Sequence, residues 1–209
     1  MRRVQNSINL LDRSRPPGII IWSLAWPTIL EQVLQVTVTY VDSAMVGSLG
    51  AHATAAIAVP TSTIWLVNGW MNAFAIGFSV LMARFLGSGN TQRAKQVTKQ
   101  ALYTSVSFGL ALTLLFVVIA RHLPAWIGAE TEVQLLARRY YHYIALGYLP
   151  NLVMILISTL LRCSGDAKKA LYLNGLNNIM NIVFNFFFIF ENISFGPFAL
   201  RGLGLGVKG

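Results

Sequence analysis

Two carboxylates stand alone in a long uncharged stretch: between Arg15 and Arg84 the only Asp, Glu, Lys or Arg residues are Glu31 and Asp42. A carboxylate can take up a proton or ligate a hard cation. In a lipid-spanning helix it is also expensive, by about 2.5–3.5 kcal/mol at the helix centre on insertion scales, so it belongs against a bundle interior or a watery cavity. Glu31 and Asp42 are eleven positions apart (42 − 31). At about 100° per residue this is about 1100° of turn, which leaves them about 20° apart in projection. Gln35 falls within about 40° of Glu31, so the three make one polar line about 16 Å long if the segment is helical. Burial penalises such a charge and amide donors favour it, which is the balance a proton- or cation-exchanging group needs.

Two further segments carry polar stripes without charge. In "YLNGLNNIMNIVFNFFFIF" Asn174, Asn178, Asn181 and Asn185 fall within about 60° of one another on a helix. Asn177 lies beside them, and Thr61, Asn68, Asn72 and Ser79 are roughly in phase on an earlier segment. Amides can also simply bond helix to helix, a contact worth about 0.6 kcal/mol on average in membranes. For Asn68 and Asn72 packing is the expectation, for Asp42 a functional role, and for Glu31 both readings stay open.

The elements that must position these groups follow from composition. The chain is 55% hydrophobic and only 11% charged over 209 residues, with a mean hydropathy of +0.59. A soluble domain is about 25% charged, and apolar runs of about 20 residues cross a hydrocarbon core. Hydropathy places five apolar segments, at about 18–47, 55–86, 101–123, 140–161 and 171–190. Each is expected to be an α-helix, because a helix satisfies its own backbone in lipid. The fold class expected is an all-α membrane bundle of about five transmembrane helices, with a basic N-terminal segment at 1–17 and the bundle at 18–209.

Lys and Arg set the orientation. Arg2, Arg3, Arg13 and Arg15 precede the first segment; Arg84, Arg93, Lys95 and Lys99 follow the second; Arg162, Lys168 and Lys169 follow the fourth. The opposite side holds Arg121, Arg138, Arg139, Arg201 and Lys208. By the positive-inside rule the N-terminus is expected in the cytoplasm, the protein in the cytoplasmic membrane, and the first apolar segment retained rather than cleaved. The net charge of +9 is spread over segment ends with no recognition motif, so nucleic acid is not an expected partner and membrane lipid is. Cys163 is a single cysteine, and His122 and His142 have no ligand-spaced companion, so neither a disulfide nor a zinc site is expected. "RRYYHY" at 138–143 reads as an interfacial anchor and "GSGN" at 87–90 as a turn, since a phosphate loop would need the lysine and spacing that are lacking. No nucleophile–base arrangement appears, and an enzyme is not expected.

Several stretches resemble the multidrug and toxic compound extrusion (MATE) transporters. "PTILEQVLQVTVTYVDSAMVGSLG" at 27–50 is similar to their first helix, and "ARFLGSGNTQRAKQ" at 83–96 to their second connection. "LRCSGDAKKALYLNGLNNIMNIVFNFFFIF" at 161–190 is similar to their fourth-to-fifth connection and fifth helix, and "GVKG" at 206–209 to the start of their sixth. The resemblance implies twelve helices in two lobes, of which this chain matches the N-terminal one and lacks the C-terminal lobe and most of helix six. It implies outward extrusion of cationic, amphipathic small molecules in exchange for protons or sodium, with no other cofactor. Asp42 matches the family's cation-coupling acid, and Asn181 and Asn185 match the polar pair on helix five, where some members carry Asp at the second position. Sodium at Asp42, Asn181 and Asn185 is therefore an expectation, and Glu31, Gln35, Asn68, Asn72 and Asn178 are expected around the substrate cavity. Two alternatives stay open: a non-transporting fragment or partner subunit, and a related flippase for lipid-linked saccharides, whose phosphate cargo would call for cationic residues mid-span.

Overall fold

In a computed structural model of the chain, residues 16–48, 50–189, 192–195 and 198–201 are described. The basic segment before Pro16 and the "GVKG" stretch lie outside them. Helices dominate: α1 (Pro17–Gly47), α2 (Ala51–Gly87), α3 (Thr91–Ile119), a one-turn α4 (Leu123–Trp126), α5 (Thr131–Leu146), α6 (Tyr148–Cys163) and α7 (Ala167–Ile189). An antiparallel pair follows, β1 (Asn192–Phe195) with β2 (Phe198–Arg201), in the register Asn192↔Arg201 to Phe195↔Phe198. Hydropathy does not foresee this ribbon, because four-residue strands are too short to show a period.

The apolar segments become helices, with one difference. The fourth segment is not a single rod from 140 to 161. It begins as helix at Thr131, stops at Leu146 and resumes at Tyr148, with a 45° bend between the halves. Pro150 explains the break: it has no N–H for the carbonyl four residues earlier, which is that of Leu146, and its ring crowds that carbonyl. In α6 the same proline sits in the first turn, where no helical donor is required. The charged start of α5 is invisible to hydropathy yet helical, because Val133, Ala137, Tyr141 and Ala145 recur every fourth residue and are buried.

α2 and α3 are long and apolar enough to cross a membrane, and α5 with α6 is a third such span if the bent pair counts as one. α1 and α7 have 31 and 23 residues, ample for a core about 30 Å thick at about 1.5 Å per residue. Large apolar side chains such as Trp22, Trp65, Leu114, Val118 and Ile179 stay exposed, the condition of a surface that faces lipid rather than water.

Two compact units build the fold. The first comprises the described part of Met1–Leu34, Asn68–Gly109 and Leu149–Leu176. Its core is Ala75, Ala101, Leu156 and Leu160, closed by Phe78, Met82 and Ile155, with Phe74 stacked on Phe108 at 5.0 Å between centroids. α3 approaches α6 closely at Gly109: a Cβ there would lie 2.8 Å from Leu149 Cδ1 and 3.1 Å from its Cα. Small residues at helix crossings permit such approach in membranes. The second unit comprises Gln35–Val67, Leu110–Tyr148 and the described part of Asn177–Gly209. Ala56, Val133 and Ala137 centre it. Phe116 sets its edge against Tyr141 and Tyr148, whose hydroxyls are joined at 3.3 Å.

"GSGN" is a helix-to-helix turn, as expected. Gly89, at φ +74°, ends α2, the Asn90 N–H returns to the Phe85 carbonyl, and Asn90 Oδ1 accepts the Arg93 N–H at 3.0 Å. Asn90 thus caps α3 while the glycine supplies a left-handed residue at little cost. "SGD" before α7 uses the same device at Gly165, φ +84°, with the Asp166 N–H on the Leu161 carbonyl.

Candidate functional site

The two acids of α1 enter different clusters. In the first unit, Glu31 Oε1 accepts Arg162 Nη1 at 2.6 Å from the last turn of α6 and Asn174 Nδ2 at 2.5 Å from α7. Arg162 Nη2 also donates to Thr159 Oγ1 at 3.3 Å, and Ser158 Oγ donates to Asn174 Oδ1 at 3.1 Å. Ser158, Asn174, Glu31, Arg162 and Thr159 therefore form one continuous hydrogen-bonded chain. Glu31 Oε2 is buried without a partner. The carboxylate is compensated by a guanidinium, the strongest neutralising partner available to it.

In the second unit, Asp42 Oδ1 accepts Asn185 Nδ2 at 2.9 Å, and the same amide nitrogen lies 3.2 Å from Asn181 Oδ1. A carboxylate oxygen and an amide oxygen thus converge on one N–H₂ group. Tyr140 on α5 is within electrostatic reach of Asp42. Asn178, one turn before Asn181, is buried, and its Nδ2 has no partner. Among the described residues the ion pairs are Glu31 with Arg162 and Asp166 with Lys169, so Asp42 has amide company and no cation.

Asn174 with Glu31 and Asn185 with Asp42 are both separated by 143 residues in the chain. The interval between acids on α1 (42 − 31) equals that between amides on α7 (185 − 174), about three helical turns in each case. The matched stripes read from the sequence are therefore matched partners.

The other expected residues are placed as follows. Asn68 Oδ1 accepts Asn151 Nδ2 at 3.2 Å, and Asn72 Nδ2 donates to the Asn68 carbonyl at 2.8 Å. Both belong to the first unit, where Asn68 joins α2 to α6 and Asn72 bonds back within α2. The Gln35 side chain is exposed, and its carbonyl accepts the Thr39 hydroxyl at 3.0 Å. Arg162, read from the sequence as a connection residue, is in the last turn of α6 and pairs with Glu31. Its signal was its place four residues after Ser158 on the same apolar helix, masked by its agreement with the positive-inside pattern. Tyr140 was likewise absorbed into the interfacial anchor at 138–143. Arg138, Arg139, His142 and Tyr143 line an open cavity, while Tyr140 lies near Asp42.

Comparisons with known proteins bear on the family and the fold. The sequence profile of the MatE family matches residues 27–187. A probable multidrug resistance protein NorM of Thermotoga maritima is 26% identical over 93% of this chain and 42% of its own length. One from Synechococcus is 27% identical over 87% of the chain and 39% of its own length. The chain spans about two fifths of the curated relatives it matches. In fold it matches the crystal structure of a MATE protein in complex with MaD3S, with a TM-score of 0.83 at 24% identity over 93% of this chain and 41% of that one. It also matches a MOP superfamily transporter from Pyrococcus furiosus, with a TM-score of 0.80 at 24% identity over 84% and 39%. A profile match over most of the chain, with the fold to go with it, places this protein in the MatE family.

Proposed function

We propose that the chain is the N-terminal lobe of a cation-coupled multidrug efflux transporter, with Asp42, Asn181 and Asn185 as its coupling site. One observation carries the reading: Asp42 is the membrane acid held by amides, whereas Glu31 is held by a guanidinium. A carboxylate beside amides can gain or lose a proton or a metal cation without breaking an ion pair. Turning the Asn185 amide would present its oxygen together with Asp42 Oδ1 and Asn181 Oδ1, a donor set that suits a hard cation such as sodium. The relatives named as multidrug resistance proteins support small-molecule extrusion.

In this mechanism a proton or sodium ion arriving from outside neutralises Asp42, and a cationic, amphipathic substrate loses its counter-charge and leaves. One elementary charge moving inward through the membrane potential supplies about 2.3 kcal/mol per 100 mV. Alternating access needs a second lobe to rock against the first, supplied on the same polypeptide or by another. The N-terminus is assigned to the cytoplasm and the protein to the inner membrane, from the distribution of Lys and Arg. A flippase for phosphate-linked saccharides is disfavoured, because Arg162, the guanidinium that reaches the α1 stripe from the last turn of α6, is already committed to Glu31.

The test is ethidium efflux from cells expressing the native gene with Asp42→Asn. Abolished efflux with undiminished membrane insertion is the expected result. Unchanged efflux overturns the assignment.

A further inference from the structure

The second unit contains a cavity of about 300 Å³ lined by Ala120, Arg121, Arg138, Arg139, His142 and Tyr143. Three guanidiniums therefore border one space, and no carboxylate lines it. Among the described residues none of the three is in an ion pair, and the one side-chain partner is Gln134, whose Oε1 accepts Arg138 Nη2 at 3.4 Å. Guanidinium remains charged at any physiological pH, and three such groups around one space repel each other unless an anion sits between them. Their planar forks match the oxygens of phosphate two at a time.

Depth identifies the source of the phosphate. Arg121 stands two residues beyond the end of α3, a membrane-crossing helix ending at Ile119. Tyr143 in the cavity lining is exposed, as are Trp126 and Ile127 a few residues after Arg121 in the chain and Leu135 one turn before Arg138 on α5. Exposed Trp and Tyr beside apolar residues mark the headgroup level of a bilayer. A volume of about 300 Å³ is at the lower limit of small-ligand pockets, enough for a headgroup whose acyl chains remain outside among the exposed apolar residues.

We infer that this cavity binds the phosphodiester headgroup of an anionic phospholipid. The inference is independent of the efflux reading, and a transport-dead variant tests it equally well.

Binding is read by native mass spectrometry of the purified chain from mixed micelles of neutral detergent with phosphatidylglycerol or phosphatidylcholine. The wild type should retain one phosphatidylglycerol at about tenfold lower lipid concentration than phosphatidylcholine. Arg121→Gln, Arg138→Gln and Arg139→Gln together should remove that preference. A second variant with Arg84→Gln, Lys95→Gln and Lys99→Gln loses the same charge elsewhere and should keep it. All three cavity arginines are exposed, and equal melting of wild type and cavity variant in phosphatidylcholine micelles verifies that folding is unaffected. Equal loss in both triple variants would show general attraction to a basic protein and overturn the site. Inorganic phosphate at millimolar concentration displacing the lipid completely would show a free-anion site and overturn the assignment to lipid. No preference in the wild type overturns it outright.

Discussion

Replacing Arg162 by Met should destabilise the protein, and additionally replacing Glu31 by Leu should largely restore it. The pair is joined at 2.6 Å, with the side chains 32% and 16% exposed. Two unit charges about 4 Å apart attract by about 4 kcal/mol at an effective dielectric constant of about 20. Partial exposure of Arg162 and the desolvation of both ions reduce the net value, so removing the arginine alone should cost about 2–3 kcal/mol. That loss arises because Glu31 would keep only Asn174 as a donor, with Oε2 already buried and unpartnered. Glu31→Leu alone should cost less, about 1–2 kcal/mol, since the arginine can extend its head toward water along its own stem. The double variant should lie within about 1 kcal/mol of wild type, because apolar side chains of similar size replace buried ion pairs well. Unfolding of the purified chain by increasing mole fractions of dodecyl sulfate, followed by circular dichroism, yields all four corners of the cycle. If Arg162→Met is as stable as the double variant, the pair has no coupling and the reasoning fails.

Three further outcomes are checked by the same unfolding assay. Asn185→Ala removes the donor 2.9 Å from Asp42 and should cost about 1.5–3 kcal/mol, the value of a bond to a charged group, with the cost lost in an Asp42→Asn background. Gly109→Ala forces a Cβ to 2.8 Å from Leu149 Cδ1 and should cost about 1–3 kcal/mol by overpacking, partly relieved by Leu149→Ala. Tyr148→Phe alone leaves the buried Tyr141 hydroxyl without its 3.3 Å partner and should cost about 1–3 kcal/mol, whereas Phe at both positions should come close to wild type.

Much of the site is legible in sequence because helical phase is a local property. The eleven-residue interval between Glu31 and Asp42 and the equal one between Asn174 and Asn185 put each pair on one stripe whatever surrounds it, since about 3.6 residues complete a turn. The cost of a carboxylate in lipid is likewise local in origin, so hydropathy and two lone acids are enough to announce a polar interior. Partner choice is another matter. Arg162 lies 131 residues from Glu31, and each asparagine lies 143 residues from its acid. No periodicity carries across such separations; only the docking of α6 and α7 on α1 decides which oxygen meets a guanidinium and which meets an amide. The break at Gly147 was readable in principle from Pro150, whose missing N–H strands the Leu146 carbonyl, but the apolar run continues through it and hid the bend. The sequence alone therefore settles which residues are polar and which helix face they share. The tertiary structure decides that Glu31 is a neutralised ion-pair member and Asp42 an acid among amides, because electrostatic partnership depends on distances that only packing sets.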